Sequence, residues 1–276
     1  MIKCAASLAR DTNPRAVRER RYGMVGLALA GTLVTGPALA ADMPMKAPVA
    51  PAYQWSGCYL GVNVGGGASG TNFGSAVDPG TYLAAGDAAT VGGSGSGGAN
   101  ADGFLGGGQA GCNYQTGMLV FGLEGDFDSF RSNPQFNNNT NTLANGNAFA
   151  ISQSLTTNFL ATARPRIGIV ADRNLAYITG GAAFTSISYT TGYVDANTPP
   201  GTGTASASRA LVGWTAGAGW EYAWADHWTV RAEYLLASFP ATNVLGTIAG
   251  AGETNTLHGS TDLVIQIVRA GVNFKF

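Results

Sequence analysis

The sequence predicts an all-β protein: an eight-stranded antiparallel transmembrane β-barrel of up-and-down topology that follows a cleaved signal peptide. Three observations predict it. The first 40 residues have the composition of an export signal, and the rest of the chain consists of short segments of alternating hydrophobicity separated by Gly-, Asn- and Thr-rich stretches. The connections between these segments alternate between short and long, as they do in bacterial outer-membrane barrels.

The amino terminus has the three parts of a secretory signal. Residues 3–21 carry six basic side chains, residues 24–39 are mostly apolar, and Ala38-Leu39-Ala40 is a small-residue cleavage site. The apolar run is too short for a good membrane-spanning helix, although an uncleaved anchor is the alternative. We therefore expect a signal peptide over residues 1–40, a Pro/Ala-rich periplasmic lead-in over 41–54, and an outer-membrane β-barrel domain over 55–276.

Removal of the signal peptide would leave an acidic protein. The leader holds six of the 15 basic residues and two of the 16 acidic ones, which leaves nine and fourteen in the mature chain. This excess of negative charge disfavours nucleic acid as a partner. No stretch of eighteen continuous apolar residues remains after residue 40, so the sequence predicts no spanning helix in the mature chain.

Eight segments are predicted to be strands, at 57–66, 103–114, 118–129, 155–170, 175–190, 209–223, 228–239 and 262–276. Long polar connections, predicted to be external loops, cover 67–102, 130–154, 191–208 and 240–261. Tight periplasmic turns are predicted at 115–117, 171–174 and 225–227. A soluble β-sandwich, which is the alternative architecture, would show no consistent alternation of loop length.

Charged side chains fall on one face of these segments, opposite an apolar face; only the fifth segment is ambiguous. Alternate residues of a strand point to opposite faces, so in a membrane barrel the apolar face meets lipid and the charged face meets the interior. Opposite charges on neighbouring strands can pair, and eight strands enclose only enough space for side chains. We therefore predict a closed interior with an ion-pair network formed by Glu124, Asp126, Arg164, Arg166, Glu221, Arg231, Glu233 and Arg269.

Aromatic residues near the segment ends predict the girdles that mark the two membrane–water boundaries. The predicted periplasmic girdle comprises Trp55, Tyr59, Tyr114, Trp224, Trp228, Phe274 and Phe276. The predicted external girdle comprises Phe130, Tyr189 and Phe239.

Several motifs in the chain resemble those of one protein family. They are residues 55–59 (WSGCY), 103–114 (GFLGGGQAGCNY), 121–126 (FGLEGD), 176–181 (AYITGG), 213–222 (GWTAGAGWEY), 231–234 (RAEY) and 269–276 (RAGVNFKF). As a set they resemble the porin-like outer-membrane β-barrel proteins of alphaproteobacteria, of the RopB type, whose eight-stranded barrel is similar to those of OmpA and OmpX. The likeness covers nearly all of residues 53–276.

This resemblance implies an abundant surface barrel that supports the integrity of the cell envelope. It also implies that the terminal Phe276 is an outer-membrane assembly signal. The partners to be expected are outer-membrane lipid and lipopolysaccharide, the outer-membrane assembly machinery and periplasmic chaperones.

Two cysteines depart from the family pattern, because Cys58 and Cys112 stand where relatives usually carry an aromatic or apolar residue. Cys58 opens the first predicted strand, Cys112 closes the second, and alternation places both on the same face. Neighbouring antiparallel strands can bring them opposite each other in the oxidising periplasm, so a disulfide is possible. The alternative is two free thiols that face lipid.

No motif for catalysis, for a cofactor or for a metal site is found in the sequence. It lacks a nucleotide-binding glycine loop and a G-x-S-x-G elbow, and its histidines, His227 and His258, are predicted at opposite sides of the membrane. The alternatives for the charged cluster are ion conduction and a glycosidase-like pair of Glu124 and Asp126. Balanced charge favours ion pairing.

The sequence thus predicts a structural outer-membrane protein, without enzymatic activity or a cofactor, that presents loops at the surface. Two alternative functions remain open. One is a narrow porin or small-solute channel, and the other is a surface protein that binds a ligand or a cell, with His258 as the candidate for haem.

Overall fold

The structure is a computed structural model that describes residues 53–276. The predicted signal peptide and most of the lead-in therefore lie outside the described residues. The elements are β1 Gly57–Val77, α1 Ala85–Ser94, β2 Gly97–Thr116, β3 Leu119–Ser132, β4 Gln135–Thr142, β5 Ala148–Ala171, β6 Asn174–Asp195, β7 Thr202–Ala223, β8 Trp228–Gly250 and β9 Glu253–Lys275. Within residues 53–276, no helix has the length and apolar character needed to cross a membrane.

Every strand pairs with its neighbours in antiparallel fashion. The order in the sheet is β3-β2-β1-β9-β8-β7-β6-β5-β4, and β3 pairs in addition with β5. This last pairing joins the two sides of the sheet, so eight of the strands follow one another in a ring while β4 pairs with β5. The prediction of an all-β, antiparallel, up-and-down architecture is confirmed.

The predicted number of strands is wrong, because the described part of the chain contains nine rather than eight. The extra strand, β4, continues the line of β3 along β5 in the same register, since Ser132 pairs with Thr157 and Gln135 with Ser154. Pro134 lies between them, and proline has no N–H to donate to a ladder. The proline therefore divides one line of chain into two strands.

The strands are also much longer than predicted, with 20 to 24 residues in β1, β2 and β5 to β9. Most of the four predicted external loops is strand, and the last of them is reduced to a tight turn at Ala251 and Gly252, which both have positive φ. The extensions form because their inward side chains bury one another. Phe149, Ile248 and Leu257 belong to one such apolar cluster, although the segments around them are polar.

The first predicted loop, 67–102, contains the helix α1. Val91 of α1 is fully buried and packs in the same cluster, together with Leu83 from the preceding segment. The amide N–H of Leu83 donates a hydrogen bond of 2.7 Å to Oδ1 of Asn255 in β9. The helix therefore covers the end of the strand ring that lies opposite the short turns.

Alternate residues of each strand are exposed and buried, as the sequence predicts. The exposed set forms an apolar belt on the outer face, which includes Leu60, Val62, Val64, Phe121, Leu123, Phe127, Ile167, Ile169, Ile178, Val212, Trp214, Tyr234 and Val268. The strand that was ambiguous in the sequence, β6, buries Leu175, Tyr177 and Ala183 and exposes Ile178. It therefore follows the same rule as its neighbours.

The predicted girdles are only partly right. The residues exposed near the short turns and after β9 are Tyr114, Trp224, Trp228, Phe274 and Phe276. In contrast, five of the predicted girdle residues lie in the buried interior, namely Trp55, Tyr59, Phe130, Tyr189 and Phe239. Their alternation places them inward, and an interior packed at native density needs large side chains to fill it.

Candidate functional site

The eight charged residues predicted for the interior are all buried. The strand pairing brings them together, because Glu124 of β3 lies directly opposite Arg164 of β5, and Glu233 of β8 lies opposite Arg269 of β9. The relative exposure of each residue is at most 7%. Their burial is what side-chain alternation along these strands requires.

Arg164 is the centre of this network and is completely buried. Its Nη2 lies 2.8 Å from Oε1 of Glu124 and 2.7 Å from Oδ2 of Asp126, and its Nη1 lies 3.2 Å from Oε1 of Glu233. A planar guanidinium has the donors for several carboxylates at once, which a lysine could not reproduce. One arginine thus joins carboxylates from β3 and β8 across the interior.

Arg269 forms a second centre and adds a carboxylate that was not in the predicted network. Its Nη2 lies 3.0 Å from Oδ2 of Asp126 and 2.6 Å from Oε2 of Glu233, while its Nη1 lies 2.5 Å from Oδ2 of Asp128. Asp128 is fully buried. Its inward position follows from the alternation that places Glu124 and Asp126, so the signal was present in the sequence.

The other two arginines complete the network towards the end of the ring that carries the short turns. Arg231 Nη1 lies 2.5 Å from Oε2 of Glu124, and Arg166 Nη1 lies 3.1 Å from Oε2 of Glu221. The guanidinium of Arg166 also lies 5.0 Å from the ring centre of Tyr59 and 5.1 Å from that of Tyr177. Such distances allow cation–π attraction in addition to the ion pair.

Neutral polar groups that the predicted network lacked donate further hydrogen bonds to three of the carboxylates. The hydroxyl of Tyr59 donates to Glu124 and that of Tyr177 donates to Glu233. Asn273 donates to Glu221 over 2.8 Å. A buried ion is costly unless its remaining lone pairs are satisfied, so these residues lower the cost of the charges.

An apolar layer lies on each side of the charged network. On the side of the network away from the short turns, the interior is filled by a cluster that includes Phe130, Leu160, Leu235, Ile265 and Ile267. The interior therefore contains a hydrophobic core. Alternation in the sequence did not distinguish these inward apolar residues from those that face lipid.

At the end of the ring with the short turns, Tyr53 and Trp55 pack inside with Val120 and Leu175. Trp55 has 1% of its surface exposed, and its backbone N–H donates a hydrogen bond of 2.8 Å to Oε1 of Gln115. The chain segment just before β1 thus enters the end of the ring and covers the charged network from below.

Cys58 and Cys112 lie directly opposite each other on β1 and β2 and are joined by a disulfide. Both belong to the outward alternation near the short turns. Phe276 lies beside them, with its side chain exposed and its amide N–H donating a hydrogen bond of 3.0 Å to the carbonyl oxygen of Cys58.

The two histidines are not brought together. His227 lies in the turn before β8 and contacts the carbonyl oxygen of Lys275. His258 lies within β9 rather than in a loop, and its Nε2 is 2.8 Å from Oδ2 of Asp78. Among residues 53–276, no group of three or more His, Cys, Asp or Glu side chains has the arrangement of a metal site.

Comparison with known proteins identifies the family. The model of the outer membrane protein beta-barrel domain matches residues 27–276. The chain belongs to this family. A member of this family is an outer-membrane protein, which agrees with the predicted location.

Two relatives of this beta-barrel family member come from Brucella. The chain is 30% identical to the 31 kDa outer-membrane immunogenic protein of Brucella melitensis over 259 residues, which cover 91% of this chain and 98% of the relative. It is 27% identical to the 25 kDa outer-membrane immunogenic protein of Brucella abortus over 256 residues, or 91% of this chain and 93% of that one.

Solved structures similar to this beta-barrel family member include the outer membrane protease OmpT of Escherichia coli, with a TM-score of 0.43 and 8% identity over 82% of this chain and 99% of that one. OprG of Pseudomonas aeruginosa aligns with a TM-score of 0.35 and 10% identity over 81% and 99%. Both scores are low, so neither likeness bears on activity.

Proposed function

We propose that this protein is a structural component of the outer membrane: a sealed barrel that stabilises the envelope and presents an external surface. The observation that carries the proposal is the filled interior. Four layers follow one another along the axis of the ring: Tyr53 and Trp55, the ion-pair network, the apolar cluster around Phe130, and the covering helix α1. A protein built to pass solutes would keep a polar, water-filled interior.

The membrane-spanning unit in this proposal is the ring of eight strands, closed by the pairing of β3 with β5. Two observations support it: the outward belt is apolar on every strand of the ring, and the charged groups of the buried network face inward at its level. The β4–β5 hairpin and the upper parts of the long strands extend beyond the belt. They would form the surface seen from outside the cell, as the word immunogenic in the relatives' names suggests.

The proposal assigns no enzymatic activity to the protein. Glu124 and Asp126, the carboxylates that could resemble a glycosidase pair, are held by Arg164 and have 3% and 7% of their surfaces exposed. A substrate would have to displace the packed layers above or below to reach them. The relatives' names describe immunogenic proteins rather than an enzymatic activity.

The partners follow from the same surfaces. The apolar belt would contact outer-membrane lipid, including lipopolysaccharide in the external leaflet, and the exposed Phe276 that follows β9 would be read by the assembly machinery. Periplasmic chaperones would carry the chain before its outward apolar residues reach lipid.

The experiment that tests the proposal is conductance of the purified, refolded protein in planar bilayers. We expect no stepwise current, whereas a stable stepwise current would support the narrow porin instead. Insertion is verified in the same preparation by heat-modifiable migration on a gel. Two results would contradict the barrel itself. One is a protein that stays in solution without detergent, and the other is cleavage at its periplasmic turns by a protease added to intact cells.

A further inference from the structure

A groove runs along the outward face of β1, between β2 and β9. Gly66 of β1 is paired with Phe104 of β2 on one side and with Val268 of β9 on the other, so a residue without a side chain separates two large apolar ones. Phe104 and Val268 are 92% and 65% exposed. The cavity that they border has a volume of about 530 Å³. The outward belt therefore has a hollow at this point.

The packing of the sheet does not require this hollow. A Cβ atom on Gly66 would meet nothing nearer than the carbonyl oxygen of Gly103 at 4.0 Å, and the φ angle of Gly66 is not in the left-handed region that favours glycine. A larger side chain would therefore fit at this position and fill the groove. The glycine leaves open a space that the strand itself does not need.

The next outward row, further from the short turns, carries polar groups on both sides of the groove. Ala68 of β1 is paired with Asp102 of β2 and with Gln266 of β9, and all three residues are exposed. The hydroxyl of Tyr234 donates a hydrogen bond of 3.1 Å to Oε1 of Gln266, which leaves the N–H groups of this amide to donate elsewhere. Asp102 belongs to none of the ion pairs within residues 53–276. An acceptor and a donor thus flank the groove, about 10 Å apart across two strand spacings.

The groove lies just inside the external boundary of the belt in the orientation of the proposed function, on which this inference rests. A strand that spans the membrane needs about 9–11 residues. Counted from the exposed aromatic residues Tyr114 of β2 and Phe274 of β9, this length ends near Phe104 and Val264. Asp102 therefore lies at the level at which the acyl chains of outer-leaflet lipids are linked to their headgroups, and the hollow lies beside the first part of those chains.

The two polar groups determine which lipid fits. A carboxylate only accepts hydrogen bonds, so Asp102 needs an O–H or N–H donor, whereas the amide N–H of Gln266 needs an acceptor such as a carbonyl. The ester-linked acyl chains of ordinary phospholipids offer carbonyl oxygens at their linkage but no donor. The amide-linked and hydroxylated acyl chains of lipopolysaccharide offer both. A phosphate would not serve here, because the Asp102 carboxylate would repel it.

We propose that this groove binds one acyl chain of lipopolysaccharide. The chain fills the hollow over Gly66, its hydroxyl or amide N–H donates to Asp102, and its carbonyl oxygen accepts from Gln266. Dispersion contacts with Phe104 and Val268, together with these two hydrogen bonds, hold a single lipid at a fixed place on the wall of the barrel.

The test measures the lipid that the folded protein retains. The protein is folded into vesicles that contain equal amounts of phosphatidylglycerol and of lipid A, the lipid part of lipopolysaccharide, and is then transferred to mild detergent for native mass spectrometry. Both lipids carry phosphate, so the comparison isolates the acyl linkage. We expect the protein to retain one lipid A molecule, with a preference over phosphatidylglycerol of about tenfold, the ratio expected for one hydrogen bond to a charged group.

Two leucine variants separate the groove from the rest of the belt. Gly66→Leu fills the hollow and should lose the retained lipid A. Gly108→Leu adds the same side chain to the outward face of β2 outside the groove, where the atom nearest to its Cβ is the carbonyl oxygen of Gly61 at 3.7 Å, and should retain the lipid. A third variant, Asp102→Leu, should still retain an acyl chain but should lose the preference for lipid A. Heat-modifiable migration verifies that each variant is folded.

Three results would overturn the proposal: no preference for lipid A in the native protein, equal retention by Gly66→Leu and the native protein, or a preference that survives Asp102→Leu. A protein dimer that dissociates in Gly66→Leu would do the same, because a second copy rather than a lipid would then fill the groove. Conductance is measured separately, so a conducting protein that retains lipid A would contradict the sealed interior alone. A mature protein that is soluble without detergent would contradict both proposals.

Discussion

Single residues inside the ring differ greatly in what they contribute to stability, and Arg164 is the clearest case. It holds three carboxylates and has no exposed surface. Arg164→Met should lower the free energy of unfolding by about 3–5 kcal/mol, because removal of one partner leaves buried charges uncompensated. The measurement is urea unfolding in lipid vesicles.

Arg173 provides the matched control for this prediction. It forms a 3.9 Å pair with Asp226, and the two side chains are 45% and 89% exposed. Exposed ion pairs contribute about 1 kcal/mol or less, so Arg173→Met should change the unfolding free energy little. Equal effects of the two variants would contradict the view that the buried network stabilises the ring.

Two adjacent glycines of β2 allow a second prediction at this scale. Gly107 points inward, and a methyl group there would collide with Asp128 and with the carbonyl of Phe127. Gly108 points outward, where the nearest atom to an added Cβ would be the carbonyl oxygen of Gly61 at 3.7 Å. Gly107→Ala should therefore cost about 1–3 kcal/mol or more through overpacking, whereas Gly108→Ala should be tolerated. A Gly107→Ala variant as stable as Gly108→Ala would contradict the close packing of Asp128 against Gly107.

At the scale of elements, β1 and β2 are joined both by their ladder and by the bond between Cys58 and Cys112. We expect neither cysteine of the native protein to react with a thiol reagent until a reductant is added, and we expect Cys58→Ser to leave Cys112 reactive. Loss of the bond should cost at most roughly 4 kcal/mol, because it closes a loop of 54 residues in the unfolded chain. Full labelling of both thiols without reductant would contradict the bridge.

The external end of the strands depends on one acidic residue. Burial raises the pKa of Asp195, but hydrogen bonds from Gly201, Tyr82, Tyr193 and Asn197 outweigh burial and hold this pKa below its usual value. The stabilisation is therefore present above the pH at which Asp titrates in the unfolded chain, about 3.9, and is lost as the pH falls through the lower folded value. Cleavage of the external segments by an acid-active protease should increase in that range. In the Asp195→Asn variant the external segments should be cleaved at higher pH as well. The same dependence of cleavage on pH in the native protein and in this variant would contradict the role of Asp195.

The elements also show which parts of the fold a sequence can predict. The inward position of Glu124, Arg164 and Arg269 follows from alternation, because a strand in lipid cannot turn a charge outward without a large cost. The extent of the strands does not follow, since residues around Ile151 and Ile248 are polar and Gly-rich and gain their order only from one another across the ring. A cluster assembled from distant segments leaves little periodic signal in any one of them.

The candidate site divides in the same way. The sequence predicts the face of each charge but not its partners, so the third contact of Arg269, to Asp128, emerges only when the strand register is known. Trp55 is a second example, because an aromatic residue next to a strand end can face lipid or enter the interior. Its choice depends on the space left between Val120 and Leu175, which no local pattern encodes.

At the scale of the whole molecule, each of the stacked layers that fill the interior blocks it separately. Removal of one layer should therefore leave the interior closed by the others. Trp55→Ala removes the main side chain of the periplasmic layer and should cost about 3–5 kcal/mol of stability through the cavity that it creates. The variant should nevertheless stay silent in planar bilayers, because the Arg164 network and the cluster around Phe130 remain above it. Trp224→Ala on the exposed rim is the control and should affect stability less. Stepwise current from Trp55→Ala, with a silent native protein, would instead mean that the segment before β1 is the gate of a channel.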